Sequence, residues 1–104
     1  MIKLSRYKVY KITEQVLFYF KLPPVSVSIS KRFFTSPYFR DIDGWYCLWG
    51  EQPLIVVKDG DLDILLHELS HHMQVFLYKD KHPNHSKNFQ LAKRRIKCYI
   101  NTNA

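Results

Sequence analysis

The sequence predicts an α+β domain, with helices and strands segregated along the chain. Three observations carry this reading. Apolar residues recur at helical spacing near both ends of the chain and again before Tyr78. Alternating or continuous apolar runs of strand length fill the middle. Prolines and a Gly-containing turn separate the two kinds of segment.

From about Leu4 to Phe20, the residues Val9, Ile12, Val16 and Phe20 mark one face of an amphipathic helix. Pro23-Pro24 is expected to end it, because proline lacks the amide donor and disfavours helix in the residue before it. Val25 to Ser30 alternates strictly between apolar and serine, as a strand with one buried face should. Residues 31–43, rich in Arg, Phe, Pro and Asp, read as a loop. Trp45 to Trp49 and Leu54 to Lys58 read as two more strands, joined by the turn Gly50-Glu51-Gln52-Pro53. Asp59-Gly60-Asp61 offers an aspartate cap for a helix from about Leu62 to Tyr78. Pro83 interrupts, and a last helix begins near Ser86 with Phe89, Ala92, Ile96 and Tyr99 on one face.

The chain has 104 residues, the size of one domain spanning 1–104, and its 46% apolar content suffices for a core and argues against disorder. Cys47 and Cys98 belong to no CxxC pair and read as two buried thiols in a reducing cell, too sparse to hold zinc alone. The longest apolar run of the basic N-terminus, Val16 to Phe20, is too short for a signal core or a membrane span. The expectation is a soluble, intracellular, cytoplasmic protein.

The net charge of +7 is unevenly placed. Residues 1–40 carry eight basic groups against Glu14, and residues 69–104 carry seven against Asp80. Between them, seven acids stand against Lys58. Basic ends around an acidic centre suit an anionic partner near a site for a cation, although solvated faces of a basic protein give the same pattern. The last helix bears Lys87, Lys93, Arg94, Arg95 and Lys97, a surface expected to bind DNA weakly, without sequence preference and in a salt-sensitive way.

His67-Glu68-Leu69-Ser70-His71 is an HExxH pattern inside a predicted helix. Side chains four apart stack on one helical face, so both imidazoles can reach one zinc ion. Glu68 projects beside them, placed to accept a proton from a metal-bound water. At about 100° per residue, Leu62, Leu65, Leu66, Leu69, Met73, Phe76 and Leu77 form an apolar stripe nearly opposite the two histidines. The histidines therefore look away from the sheet, toward whatever follows in the chain.

A catalytic zinc usually takes three protein ligands and an open position. Downstream stand Asp80, His82 and His85. His85 is the preferred third ligand, because it opens the last helix and can be pinned by Phe89, with His82 second. His72 is rotated by about 100° from His71 and reads as a bystander. Gln74 and Leu77 stand where a metzincin has glycine and histidine, and no glutamate follows Glu68 to serve as a gluzincin ligand.

With these residues the chain resembles the SprT-like metallopeptidases and the related YgjP-like proteins. Their motif is HExxH, a gap, then a histidine followed by Ser or Gly and, three residues on, an aromatic. Here that reads His67 to His71, then Asn84-His85-Ser86-Lys87-Asn88-Phe89. The gap from His71 to His85 is similar to SprT-like spacing, and the Asn-His-Ser wording is closer to YgjP-like proteins. The resemblance covers about residues 62–99. It implies a minimal zincin-like core: an N-terminal helix, a small three-stranded sheet, the HExxH helix and a closing helix. The expectation is a chain without the C-terminal zinc ribbon of some SprT-like proteins, similar to a minimal or viral version working in host cytoplasm.

The expected activity is zinc-dependent hydrolysis of peptide bonds, with one zinc per chain and Glu68 moving the proton from water to the leaving amine. A protein or peptide substrate is expected to lie along an exposed strand, 45–49 or 54–58, by strand addition. Tyr38, Tyr46, Tyr78 and Tyr99 are the candidates for stabilising the oxyanion. The rival readings are a latent protease homologue, its metal position filled by its own chain, and a small basic adaptor for nucleic acid or protein with a structural zinc.

Overall fold

A computed structural model describes residues 2–48 and 52–103. Its order is α1 (Arg6–Tyr19), β1 (Ser26–Ile29), a 3-10 turn (Arg32–Thr35), β2 (Gly44–Cys47), β3 (Leu54–Val57), α2 (Leu62–Phe76) and α3 (Lys87–Asn103). Trp49, Gly50 and Glu51, the expected strand end and first half of the turn, lie outside the described residues.

Each helix end has a local cause. Ser5 caps α1 by accepting from the Lys8 amide. α1 ends at Tyr19, within a residue of the expected Phe20, but the prolines are not the cause. It stops earlier, where Lys21 adopts φ 55° and the amides of Lys21 and Leu22 return to the carbonyls of Phe18 and Leu17, a Schellman turn. Asp61 caps α2 as expected, accepting from the amides of Asp63 and Ile64. Lys79 at φ 62° reverses the chain after α2, so the Asp80 amide reaches the Gln74 carbonyl at 3.3 Å. Gly60 is required by a close approach. The Leu4 amide donates to its carbonyl, and a Cβ there would sit 2.0 Å from the Leu4 oxygen.

The sheet order is β1-β3-β2, with β1 parallel and β2 antiparallel to β3. The all-apolar Leu54-Ile55-Val56-Val57 thus takes the central position, where both faces are covered. Ile55, Val57 and Tyr46 join Val9, Val16, Leu65, Leu69, Met73, Ala92 and Ile96 in one core shared with all three helices. On the opposite face Val56 is buried beside Trp45, whose ring stacks on Phe33 and meets Phe39 at a tilt, both from the 31–43 segment. Leu77, expected in the apolar stripe of α2, is exposed.

β3 has both edges occupied, which removes 54–58 from the strands open to addition. β2 is an edge. The Lys58 amide donates to the Asp43 carbonyl at 2.8 Å, so by antiparallel alternation Trp45 and Cys47 face β3 with their backbones. The N–H and C=O groups of Gly44 and Tyr46 point the other way. Cys47 is buried but Cys98 is exposed, contrary to expectation, because Cys98 falls outside the α3 stripe of Phe89, Ala92, Ile96 and Ile100. Among the described residues no helix is long and apolar enough to cross a membrane.

Candidate metal centre

Leu65, Leu66, Leu69 and Met73 fix α2 in the core and so fix where its other faces point. His67 and His71, one turn apart, stand with ring centroids 4.9 Å from each other. The segment between α2 and α3 brings His85 over them, 4.9 Å from His67 and 5.2 Å from His71 by centroid. Beneath all three lies Phe89, buried, at 4.8, 4.5 and 4.9 Å from the rings of His67, His71 and His85. Phe89 thus supports the whole triad, not His85 alone.

One ligand atom from each of these histidines lies within 4.8 Å of the others, the only such group of His, Cys, Asp or Glu found among the described residues. The Nε2 atoms of His67 and His85 are 3.0 Å apart. A tetrahedral zinc with nitrogens at about 2.0–2.1 Å separates its donors by about 3.3 Å. The His67–His85 spacing is thus close to that of two zinc donors, and the His71 ligand atom lies within 4.8 Å of both, near enough for the three to hold one metal ion.

Hydrogen bonds fix the tautomer of His71. The Gln74 side-chain oxygen accepts from the Asn84 amide at 3.2 Å, which identifies it as the oxygen. The same oxygen lies 3.2 Å from His71 Nδ1, so Nδ1 carries the proton and Nε2 keeps its lone pair for a cation. The two hydrogens on Gln74 Nε2 are shared among three acceptors, Asn84 Oδ1 (2.6 Å), Asp80 Oδ2 (3.0 Å) and Ser86 Oγ (3.1 Å), tying down the segment that carries His85.

Burial disfavours the charged form of the two helical histidines. The pKa of His67 falls to about 4, first through burial and then through His71, His85 and Lys93 nearby. Burial lowers His71 as well, against the opposing bond to Gln74. Glu68 moves the other way: burial raises its carboxyl to about 7, a value suited to exchanging protons near neutrality. Its carboxylate lies against Gly44. A Cβ there would fall 2.7 Å from Glu68 Oε2 and 2.6 Å from Ile64 Cγ2, so α2 approaches β2 this closely only because residue 44 is glycine.

The site opens into a cleft of about 310 Å³ lined by His67, Glu68, His71 and His85 on one side and Ile42, Gly44, Trp45 and Tyr46 on the other, with Pro83 and Asn84 at the rim. The described structure leaves the other candidate ligands out. His82 is exposed outside the triad, and the Asp80 carboxylate accepts from Gln74 and Asn88.

His72 is indeed outside the triad, but it is no idle bystander. Its Nε2 lies 2.8 Å from the Pro23 carbonyl, which only accepts, so Nε2 holds the proton and Nδ1 accepts from the Tyr46 hydroxyl at 2.7 Å. That bond commits the one hydroxyl proton of Tyr46, whose ring lines the cleft. The other oxyanion candidates stand elsewhere. Tyr38 is exposed, Tyr78 accepts from Arg95, and Tyr99 stacks on Tyr19.

Of the cations on α3, Arg95 is engaged by Tyr78 and by the face of Phe20, and Lys93 is half-buried near His67. Lys87, Arg94 and Lys97 remain exposed.

Sequence reasoning missed Gln74, Gly44 and the Tyr46–His72 pair. The available signal for Gln74 was its place three residues after His71, on the same helical face. Comparison with protein-family models, with curated proteins and with solved structures finds no match for this chain.

Proposed function

We propose that this chain is a zinc-dependent peptide-bond hydrolase, a minimal zincin-like domain similar to SprT-like and YgjP-like metallopeptidases. The observation that carries the reading is three imidazoles gathered over Phe89 with a buried carboxylate, Glu68, on the same cleft. His67, His71 and His85 would hold the ion. When bound, zinc supplies a Lewis acid that acidifies a coordinated water to a pKa of about 7 and polarises a carbonyl oxygen.

The chain's own residues supply the remainder. Glu68, raised to about 7 by burial, takes up a proton at its carboxylate and returns it to the departing amine. The outward N–H and C=O groups of Gly44 and Tyr46 on edge strand β2 offer an extended peptide main-chain partners alongside the cleft. Ile42 and Trp45 give that cleft an apolar wall.

Metal analysis is expected to find one zinc per chain, lost in His67→Ala and in His71→Ala. Glu68→Gln should keep the zinc while hydrolysis of an unfolded protein substrate falls by about 10²–10⁴-fold. Full zinc in both histidine variants, or undiminished turnover in Glu68→Gln, would discard the reading.

A further inference from the structure

Gln74 is fully buried in α2, and every polar atom of its side chain faces a partner from the metal centre or from the segment that closes it. A fully buried amide needs a reason, since an apolar residue of the same shape would fill the space without polar groups to satisfy.

The bonds supply one. The oxygen end addresses α2 itself, taking the proton of His71 Nδ1 as a hydrogen bond at 3.2 Å. It also takes the Asn84 amide, one residue before His85. The nitrogen end addresses the linking segment, at Asp80, Asn84 and Ser86. Asn84 and Ser86 flank His85, and Asn84 Oδ1 also accepts from the Ser86 amide at 3.0 Å, which shapes the entry into α3. Asp80 in turn holds Asn88 in the first turn of α3 at 2.9 Å. His85 itself is exposed, so its own burial does little to place it.

We propose that Gln74 is the positioning residue that assembles the triad. It fixes the protonated nitrogen of His71 and, through Asn84 and Ser86, delivers His85 to the one ion that His67 and His71 would hold. One side chain thereby couples the orientation of a helical ligand to the placement of a ligand from the connecting segment. This inference rests on the metal-centre reading above.

The experiment is a double-mutant cycle on Co²⁺ and Zn²⁺ affinity with Gln74→Met, of similar volume but without the amide, and His85→Ala. Gln74→Met should weaken binding by about 10- to 100-fold, the usual effect of removing a partner of a ligand. In the His85→Ala background the same change should cost less, by at least about threefold, because one of its two routes is already gone. A second readout does not depend on stability. Imidazole ¹⁵N shifts of the metal-free protein should show His71 protonated at Nδ1 in the wild type and in Gln74→Glu, which keeps an acceptor oxygen, and lose that signature in Gln74→Met.

A wild type that binds neither metal would defeat the metal-centre reading itself. A wild type that binds, with Gln74→Met equally tight or with strictly additive losses, would overturn the role of Gln74 alone, as would His71 protonated at Nε2. Should Gln74→Met fail to fold, Asn84→Ala, at an exposed position, carries the same cycle. It removes the 2.6 Å bond from Gln74, and losses additive with His85→Ala would again overturn the proposal.

Discussion

Helix α2 and strand β2 form the two walls of the cleft, and they contribute to it in opposite ways. Along α2 the chemistry is carried by what the side chains are. His67 and His71 repeat at one helical turn, Glu68 stands between them, and an apolar stripe on another face fixes their direction. Along β2 it is carried by what is missing or hidden. Gly44 matters for the Cβ it lacks, and Tyr46 points its hydroxyl into the core, at His72. A helix can anchor itself on one face and present ligands on another. An edge strand anchors through alternate residues and keeps its backbone for the cleft. The two walls should then fail differently when altered.

The largest difference concerns Glu68 and pH. Burial pushes its carboxyl up to about 7 in the folded chain, from an ordinary value of 4.5. The folded state therefore binds more protons than the unfolded one between these values. Stability is fully present below the unfolded pKa and is lost as pH rises through the folded one. A shift of this size corresponds to at most about 3 kcal/mol. In chelator-treated protein, Glu68→Gln should match the wild type at pH 4.5 and exceed it by up to about 3 kcal/mol at pH 8. Urea titrations at the two pH values measure it. An identical offset at both would mean that Glu68 is not desolvated by the walls around it. A bound dication beside the carboxylate should shrink the gain, because it stabilises the charged form.

Next in size is Gly44→Ala, which asks whether the strand wall is as much part of the site as the helix wall. The added methyl meets Ile64 and Glu68 at 2.6 and 2.7 Å, so α2 and β2 must part or the carboxylate must move. The expected cost is about 1–3 kcal/mol of stability by denaturant unfolding. Because a displacement of about 1 Å can cost on the order of 10²-fold in rate, hydrolysis should fall strongly with zinc content unchanged. Full activity in a folded Gly44→Ala would reduce β2 to a passive boundary.

Much of the helix wall was legible in the sequence, because a helical period converts spacing directly into direction. His67, Glu68 and His71 needed no tertiary information, and Asp61 announced where their helix begins. His85 was harder, since its place depends on a linking segment held by Gln74. A single glutamine on an amphipathic helix looks like a solvated residue until its partners are known. The strand wall was less legible still. Two candidate strands stood open to addition, and the order β1-β3-β2 decides between them by covering both edges of β3. The uninterrupted Leu54-Ile55-Val56-Val57 carries a hint of that central place, but pairing in parallel with β1 is long-range information. The end of α1 was legible to within a residue, at Phe20, but its cause was not. Lys21 in the left-handed region is unusual for a residue other than glycine, so no local residue type marks the turn that stops the helix.

The smallest expected effect is the sharpest test of the two walls. Tyr46→Phe keeps the ring that lines the cleft and removes one hydroxyl. His72 Nδ1 then faces the core as an acceptor without a donor, because Nε2 must keep its proton for the Pro23 carbonyl. Leaving such a buried group unsatisfied costs about 1–3 kcal/mol. Zinc content should not change, since the Tyr46 and His71 rings are 6.4 Å apart by centroid and the hydroxyl is turned toward His72. What loosens is the attachment of β2 to α2, the strand on which a peptide is proposed to lie. The loss should then appear in KM with kcat nearly intact, whereas Glu68→Gln loses kcat with KM nearly intact. The reverse pattern in Tyr46→Phe would place its hydroxyl on the reacting atoms. It would also contradict the tautomer assigned to His72, because a proton committed to Nδ1 cannot also stabilise an oxyanion.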